Sequence, residues 1–173
     1  VMRAAAQAYG ADRGLAEKYR GLLDKWVRYL IEYGEDPGEQ LCTDDFAGHM
    51  SRNVNLAIKA CEALYAMGEM TGEDRYHEIA RANAKQLETL AANDAGMMLA
   101  LGNPDSWSLK YNMVWDRVWG SRIFPEGLMD RELKAILDEQ VKPVSTWVPD
   151  LGTFVLNRSV NWFQADVEWQ GQS

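Results

Sequence analysis

Apolar residues recur along most of this chain at spacings of three and four, the repeat of one helix face. Over residues 11–34 they fall at Leu15, Tyr19, Leu22, Leu23, Trp26, Leu30 and Tyr33, and Gly34 is placed to stop that helix. Residues 2–9 read as the end of an earlier helix, closed by Gly10. A helix from Ala47 or Met50 to Met70 carries a stripe of Val54, Ala57, Ile58, Cys61, Leu64, Tyr65 and Gly68. The following one, over 71–93, turns Tyr76, Ile79, Ala80, Ala84, Leu87 and Leu90 inward, and Thr71 with Asp74 fits a capping box. Residues 108–119 read as a short aromatic helix. Residues 125–142 form the last clear one, with Pro125 near its first turn and Pro143 ending it. Strand signals are nearly absent before 152–158.

The expected class is therefore all-α, in one domain over 1–173. The connections alternate: 34–46 is long, 70–72 short, 93–107 long again. Short turns at one end and long loops at the other suit antiparallel hairpins arranged as part of an (α/α)6 toroid. A helical bundle or a solenoid fits the same pattern. In a toroid the long loops gather at one mouth, where functional groups tend to sit. The opening "VMRAAAQAYG" reads as the inside of a helix, so we expect a piece of something longer.

Composition narrows the partners. The net charge is −8, without a basic run, which argues against nucleic acid and anionic membranes. No stretch of eighteen apolar residues occurs, so no membrane-spanning helix is expected. The two cysteines, Cys42 and Cys61, form no zinc pattern and read as free thiols. Seven tryptophans are many for 173 residues; most serve cores, and some can wall a ligand site.

Candidate chemistry lies on the long loops. One group is Thr43, Asp44, Asp45 and His49; a second is Asp105, Trp107, Lys110, Tyr111, Asn112 and Asp116; a third is Arg158, Trp162, Asp166, Glu168 and Trp169. Each mixes carboxylates with aromatic and amide or cationic groups. Glycoside cleavage needs two facing carboxylates, and amide cleavage needs an activated water or nucleophile; both need acids of unequal environment. Bland readings compete with these. Asp44 and Asp45 would cap a helix start, and His49 would be a hydrogen-bonded buried histidine. Asp116 would pair with Arg117, Lys110 would be a solvated charge, His77 a surface residue, and Met97-Met98 core filler. No G-x-S-x-G, P-loop, HExxH or GxGxxG occurs, and no EF-hand spacing; neither metal nor cofactor is expected.

The stretch "LCTDDFAGHMSRNVNLAIKA", 41–60, resembles the pattern LCTDDFAGHLxxNxNLxIKA of the glutaminase A-type family of secreted and periplasmic proteins. "PDSWSLKYNMVWDRVWGSRIFP", 104–125, resembles that family's PGTWSQKYNLVWDxLLGLxLFP. The likeness covers roughly 10–140. At the end, "LNRSVNWFQADVEW" is only loosely similar to LDSRxxYTKxDWxxW, with Asn157 in place of Asp and Val167 in place of Trp. The resemblance implies a six-hairpin toroid of which this chain supplies later hairpins, with an N-terminal part and a β-rich domain outside it. It implies hydrolysis of L-glutamine to glutamate and ammonia by the whole protein, outside the cytoplasm, with this piece alone inactive. Asp44, Asp45, Asp116 and Asp166 become the expected acids, with His49, Asn53, Trp107, Lys110, Asn112 and Arg158 around the substrate. A glycoside hydrolase on the same scaffold, or a binding module for glycan or the rest of the parent chain, are the alternatives.

Overall fold

The computed structural model describes residues 14–41, 49–94 and 96–140. The features expected at 2–9, 143 and 152–158 lie outside them.

The first helical stretch is broken. Helix α1 (Gly14–Lys18) and helix α2 (Arg20–Tyr33) meet at Tyr19, whose φ of −107° and ψ of 18° leave the helix for one residue. Leu23 and Val27 point into the core, but Leu15, Tyr19, Leu22, Trp26 and Tyr33 of the expected inner face are exposed. Gly34 ends α2 in a right-handed conformation. Its value there is room, since a Cβ would lie 2.8 Å from the Ala60 Cβ and 2.4 Å from the Leu30 carbonyl oxygen.

A small hairpin follows. Strands β1 (Gln40–Leu41) and β2 (His49–Met50) pair antiparallel, Leu41 opposite His49. Helix α3 (Val54–Thr71) therefore starts later than the apolar pattern suggests. Its N-cap is Asn53, whose Oδ1 accepts the Leu56 N–H at 2.8 Å. That bond satisfies one of the free donors of the first turn, where the sequence reading gives Asp44 and Asp45 as candidate caps. Both acids lie outside the described residues.

Helix α4 (Asp74–Leu90) returns against α3 through a turn centred on Gly72, left-handed at φ 72°, with its N–H donated to the Gly68 carbonyl at 2.7 Å. Thr71 belongs to α3 and donates its hydroxyl to the Met67 carbonyl, so the expected capping box is not formed. His77 is not on the surface. Its ring lies tilted against that of Tyr65, centroids 4.4 Å apart, and fills the notch left by Gly68, where a Cβ would sit 2.5 Å from the imidazole.

Beyond α4, strands β3 (Ala92–Asn93) and β4 (Gly96–Met97) pair, a 3-10 turn (Tyr111–Met113) leads into helix α5 (Val114–Trp119), and helix α6 (Glu126–Gln140) begins right after Pro125. The two short pairings have too few residues to leave a periodic trace, so the reading as a pure helix array misses them.

Two apolar cores follow one another along α3, one at its N-terminal half and one at its C-terminal half. Val54, Ala57, Ile58 and Cys61 join Leu87, Met97, Phe124 and Leu128; Leu64 and Met67 join Val27, Tyr76 and Ala80. Met97 and Met98 are core residues as read. Each fully buried Leu or Ile here contributes on the order of 1.5–3 kcal/mol. Buried on nearly every side, α3 is the post on which the loops hang.

Candidate functional site

The two long loops converge at the N-terminal end of α3. Leu101 N–H donates to the Arg52 carbonyl at 3.0 Å, Val54 N–H to the Leu99 carbonyl at 3.0 Å, and Asn53 bridges Ala100. Arg52 adopts φ 62°, unusual for a residue with a Cβ, and its Nε reaches Asp36 at 2.9 Å. The β1–β2 stem, between whose strands residues 42–48 fall in sequence, comes just before this junction in the chain. His49, expected one turn into a helix and buried, is instead exposed on β2, because the helix has not yet started.

Below the junction α3 presents two polar groups seven residues apart, hence on one face. Asn55 accepts the Asn112 N–H on its Oδ1 at 3.1 Å, and Asn112 Nδ2 donates to the Asn55 carbonyl at 3.0 Å. Two turns on, Ser121 donates its hydroxyl to Glu62 Oε2 at 3.4 Å. Asn55 and Glu62 were not singled out in the sequence. The signal that could have found them is polarity on an otherwise apolar stripe.

Asp116 does not pair with Arg117, which reaches Glu126 instead at 3.2 Å. Its carboxylate is 1% exposed and accepts the Ile123 N–H at 2.7 Å. Burial pushes its pKa up, while the Ile123 and Phe124 N–H groups and two nearby arginines pull it back. Asp116 thus pins the exit of α5.

Lys110 is not solvated. Its ammonium is 1% exposed and donates to the carbonyls of Met97 at 2.8 Å and Ser108 at 2.6 Å, with Glu132 of α6 at 4.0 Å. Burial lowers its pKa to about 8 against the opposing pull of Glu132, and burial likewise raises Glu132. Gly96, at φ 127°, makes room for that carboxylate: a Cβ there would lie 2.5 Å from Glu132 Oε1. The half-buried Trp107 stands 5.9 Å from the Lys110 ammonium, its Nε1 buried without a partner among the described residues. Lys110 and Asn112 therefore face the fold, not an open cleft. Glu35, just past α2, has its pKa raised by burial and then by Asp36. Cys61, a free thiol, is pushed up to about 12 by burial, Glu62 and Glu35, which makes it inert as a nucleophile.

Of the expected site residues that are described, Asn53 caps α3, Asn112 is bonded to Asn55, Lys110 lies beside Trp107 and Asp116 holds Ile123; His49 is exposed, Trp107 half-buried and the others buried. Asp44, Asp45, Asp166 and Arg158 lie outside the described residues.

A family model described as the glutaminase A six helical-hairpin domain matches residues 1–139. The chain belongs to the glutaminase A six-hairpin family. Its relatives include Glutaminase A of Aspergillus oryzae (strain ATCC 42149 / RIB 40), 30% identical over 144 residues, which cover 76% of this chain and 21% of the relative. A "Probable glutaminase" of Arthroderma benhamiae (strain ATCC MYA-4681 / CBS 112371) is 42% identical over 59 residues, 34% of this chain and 7% of that protein. The chain therefore spans about a fifth or less of the curated relatives it matches. No solved structure matches it. Within this six-hairpin family member, α3–α4 is a complete hairpin.

Proposed function

We propose that this chain forms part of the catalytic domain of a glutaminase A-type amidohydrolase, which splits the side-chain amide of L-glutamine into glutamate and ammonia. The observation that carries this reading is the joining of the 34–53 and 91–110 loops at the capped end of α3, in a chain whose family model is named for that activity. In this reading Asp44 or Asp45, on the segment closed by the β1–β2 stem, activates the attacking water or attacks directly. Asp166 serves as partner acid and Arg158 holds the substrate carboxylate. His49 and Trp107 wall the pocket. Asp116, Lys110 and Asn112 act from behind as positioning residues, since their polar atoms are given to backbone groups. The substrate is a small molecule met outside the cytoplasm.

Ammonia release from glutamine by the full-length protein tests the reading. At least one of Asp44→Asn and Asp45→Asn should reduce kcat by at least about a hundredfold with the fold retained, in line with loss of a general base or nucleophile. An intact parent that releases no ammonia, or one that cleaves aryl glycosides instead, removes it.

A further inference from the structure

On α1 and α2 six large apolar residues remain outside the core: Leu15, Tyr19, Leu22, Trp26, Tyr29 and Tyr33, each between 42% and 54% exposed. Their spacing is four, three, four, three, four. That alternation is the seam by which one helix packs along another. Scattered exposed apolar residues are ordinary on a protein surface, but a stripe that runs the length of α2 and on past the break at Tyr19 marks an interaction face. The adjoining face of the same helix is already used, through Leu23 and Val27. Beside the stripe a groove of about 370 Å³ opens between α2 and α3, floored by Leu56, Ala60 and Ala63. Small residues on its floor leave space for the knobs of an approaching helix.

The rim argues against a membrane. Glu17, Asp24 and Glu32 alternate with Lys18, Lys25 and Arg28, whereas interfacial helices carry mainly Lys and Arg there. The amount of chain elsewhere says what covers the stripe. Six hairpins need two helices each, the described residues hold six α-helices, and about four fifths of the Aspergillus relative lies outside the match. We propose that this stripe is an inter-hairpin seam, filled in the whole protein by an amphipathic helix of another hairpin of the same domain. The assignment is independent of the amidase reading.

The test uses the full-length protein. Leu22→Glu and Trp26→Glu should each lower Tm by at least about 5 °C, because a charge would enter a covered seam. Ala82→Glu, on the exposed side of α4, should leave Tm unchanged. Where a glutamate variant fails to fold, maleimide labelling of Leu22→Cys reads the same point, and it should react at least tenfold more slowly than Ala82→Cys. Equal Tm values or equal labelling rates overturn the proposal. So does a protection of Leu22→Cys that disappears on dilution, which would assign the cover to a second copy.

Discussion

Helix α4, which closes the hairpin with α3, and the segment from Trp107 to Phe124 are both packed on α3, yet they are held by opposite means. The hairpin is an apolar seam of Leu64, Met67, Tyr76, Ala80, Ala84 and Leu87, closed by one left-handed glycine. The Trp107–Phe124 segment has little regular structure and is fixed by buried polar contacts: Asn55 with Asn112, Glu62 with Ser121, Asp116 with Ile123, Lys110 with Met97 and Glu132. Apolar packing tolerates substitution of similar volume; a buried polar contact does not tolerate loss of one partner. A loop that must hold its shape beside a reaction site gains from the second kind of anchor, because it specifies one conformation.

The difference can be attacked from the polar side first. Lys110→Met leaves Glu132 buried beside no cation and should cost about 3–5 kcal/mol in urea unfolding, as expected for breaking a buried pair. The double variant Lys110→Met/Glu132→Leu should recover most of that loss; a double variant as unstable as the single one would show that the pair is not the anchor. On the apolar side, Leu87→Ala, at full burial, should cost about 2–5 kcal/mol and leave the Trp107–Phe124 segment's hydrogen-exchange protection in place. Loss of protection in both regions together would erase the distinction.

Asn55→Ala removes the acceptor of the buried Asn112 N–H and should cost about 1–3 kcal/mol. The exposed Arg52–Asp36 pair offers the contrast at the surface: Asp36→Asn should shift stability by less than about 1 kcal/mol. Finally, pH separates the two regions. Lys110 is lowered to about 8 in the fold, while its ordinary value is 10.5. Between those values the unfolded chain binds more protons, so the contribution of Lys110 makes stability rise with pH across that window. The wild-type protein should gain relative to Lys110→Met/Glu132→Leu from pH 8 to 10.5; the raised Cys61 is common to both and cancels. Parallel curves would rule out a buried, depressed Lys110.

The helices around α3 were legible because burial on one face writes a period of three to four into the sequence. Val54, Ala57, Ile58, Cys61 and Leu64 are buried as that period implies. The loop region was legible only as motif likeness, since its order comes from contacts between residues 57 and 59 positions apart, such as Asn55 with Asn112 and Glu62 with Ser121. Local pattern carries no trace of such partners. The same limit explains Lys110, whose charge reads as solvent-seeking until Glu132 and two carbonyls are placed around it.

By itself the sequence determined the helical class, the short α3–α4 turn, the core stripe of α3 and the family. Each of these rests on local periodicity or on residues in unbroken order. The tertiary structure alone decided where α3 starts, because the Asn53 cap competes with an apolar pattern that runs on past it. It alone decided that Lys110, Asn112 and Asp116 turn inward, and that among the described residues the apolar stripe on α1 and α2 is exposed. Which face of a helix meets protein and which meets water depends on what is packed beside it, and that is a property of neighbours distant in the chain.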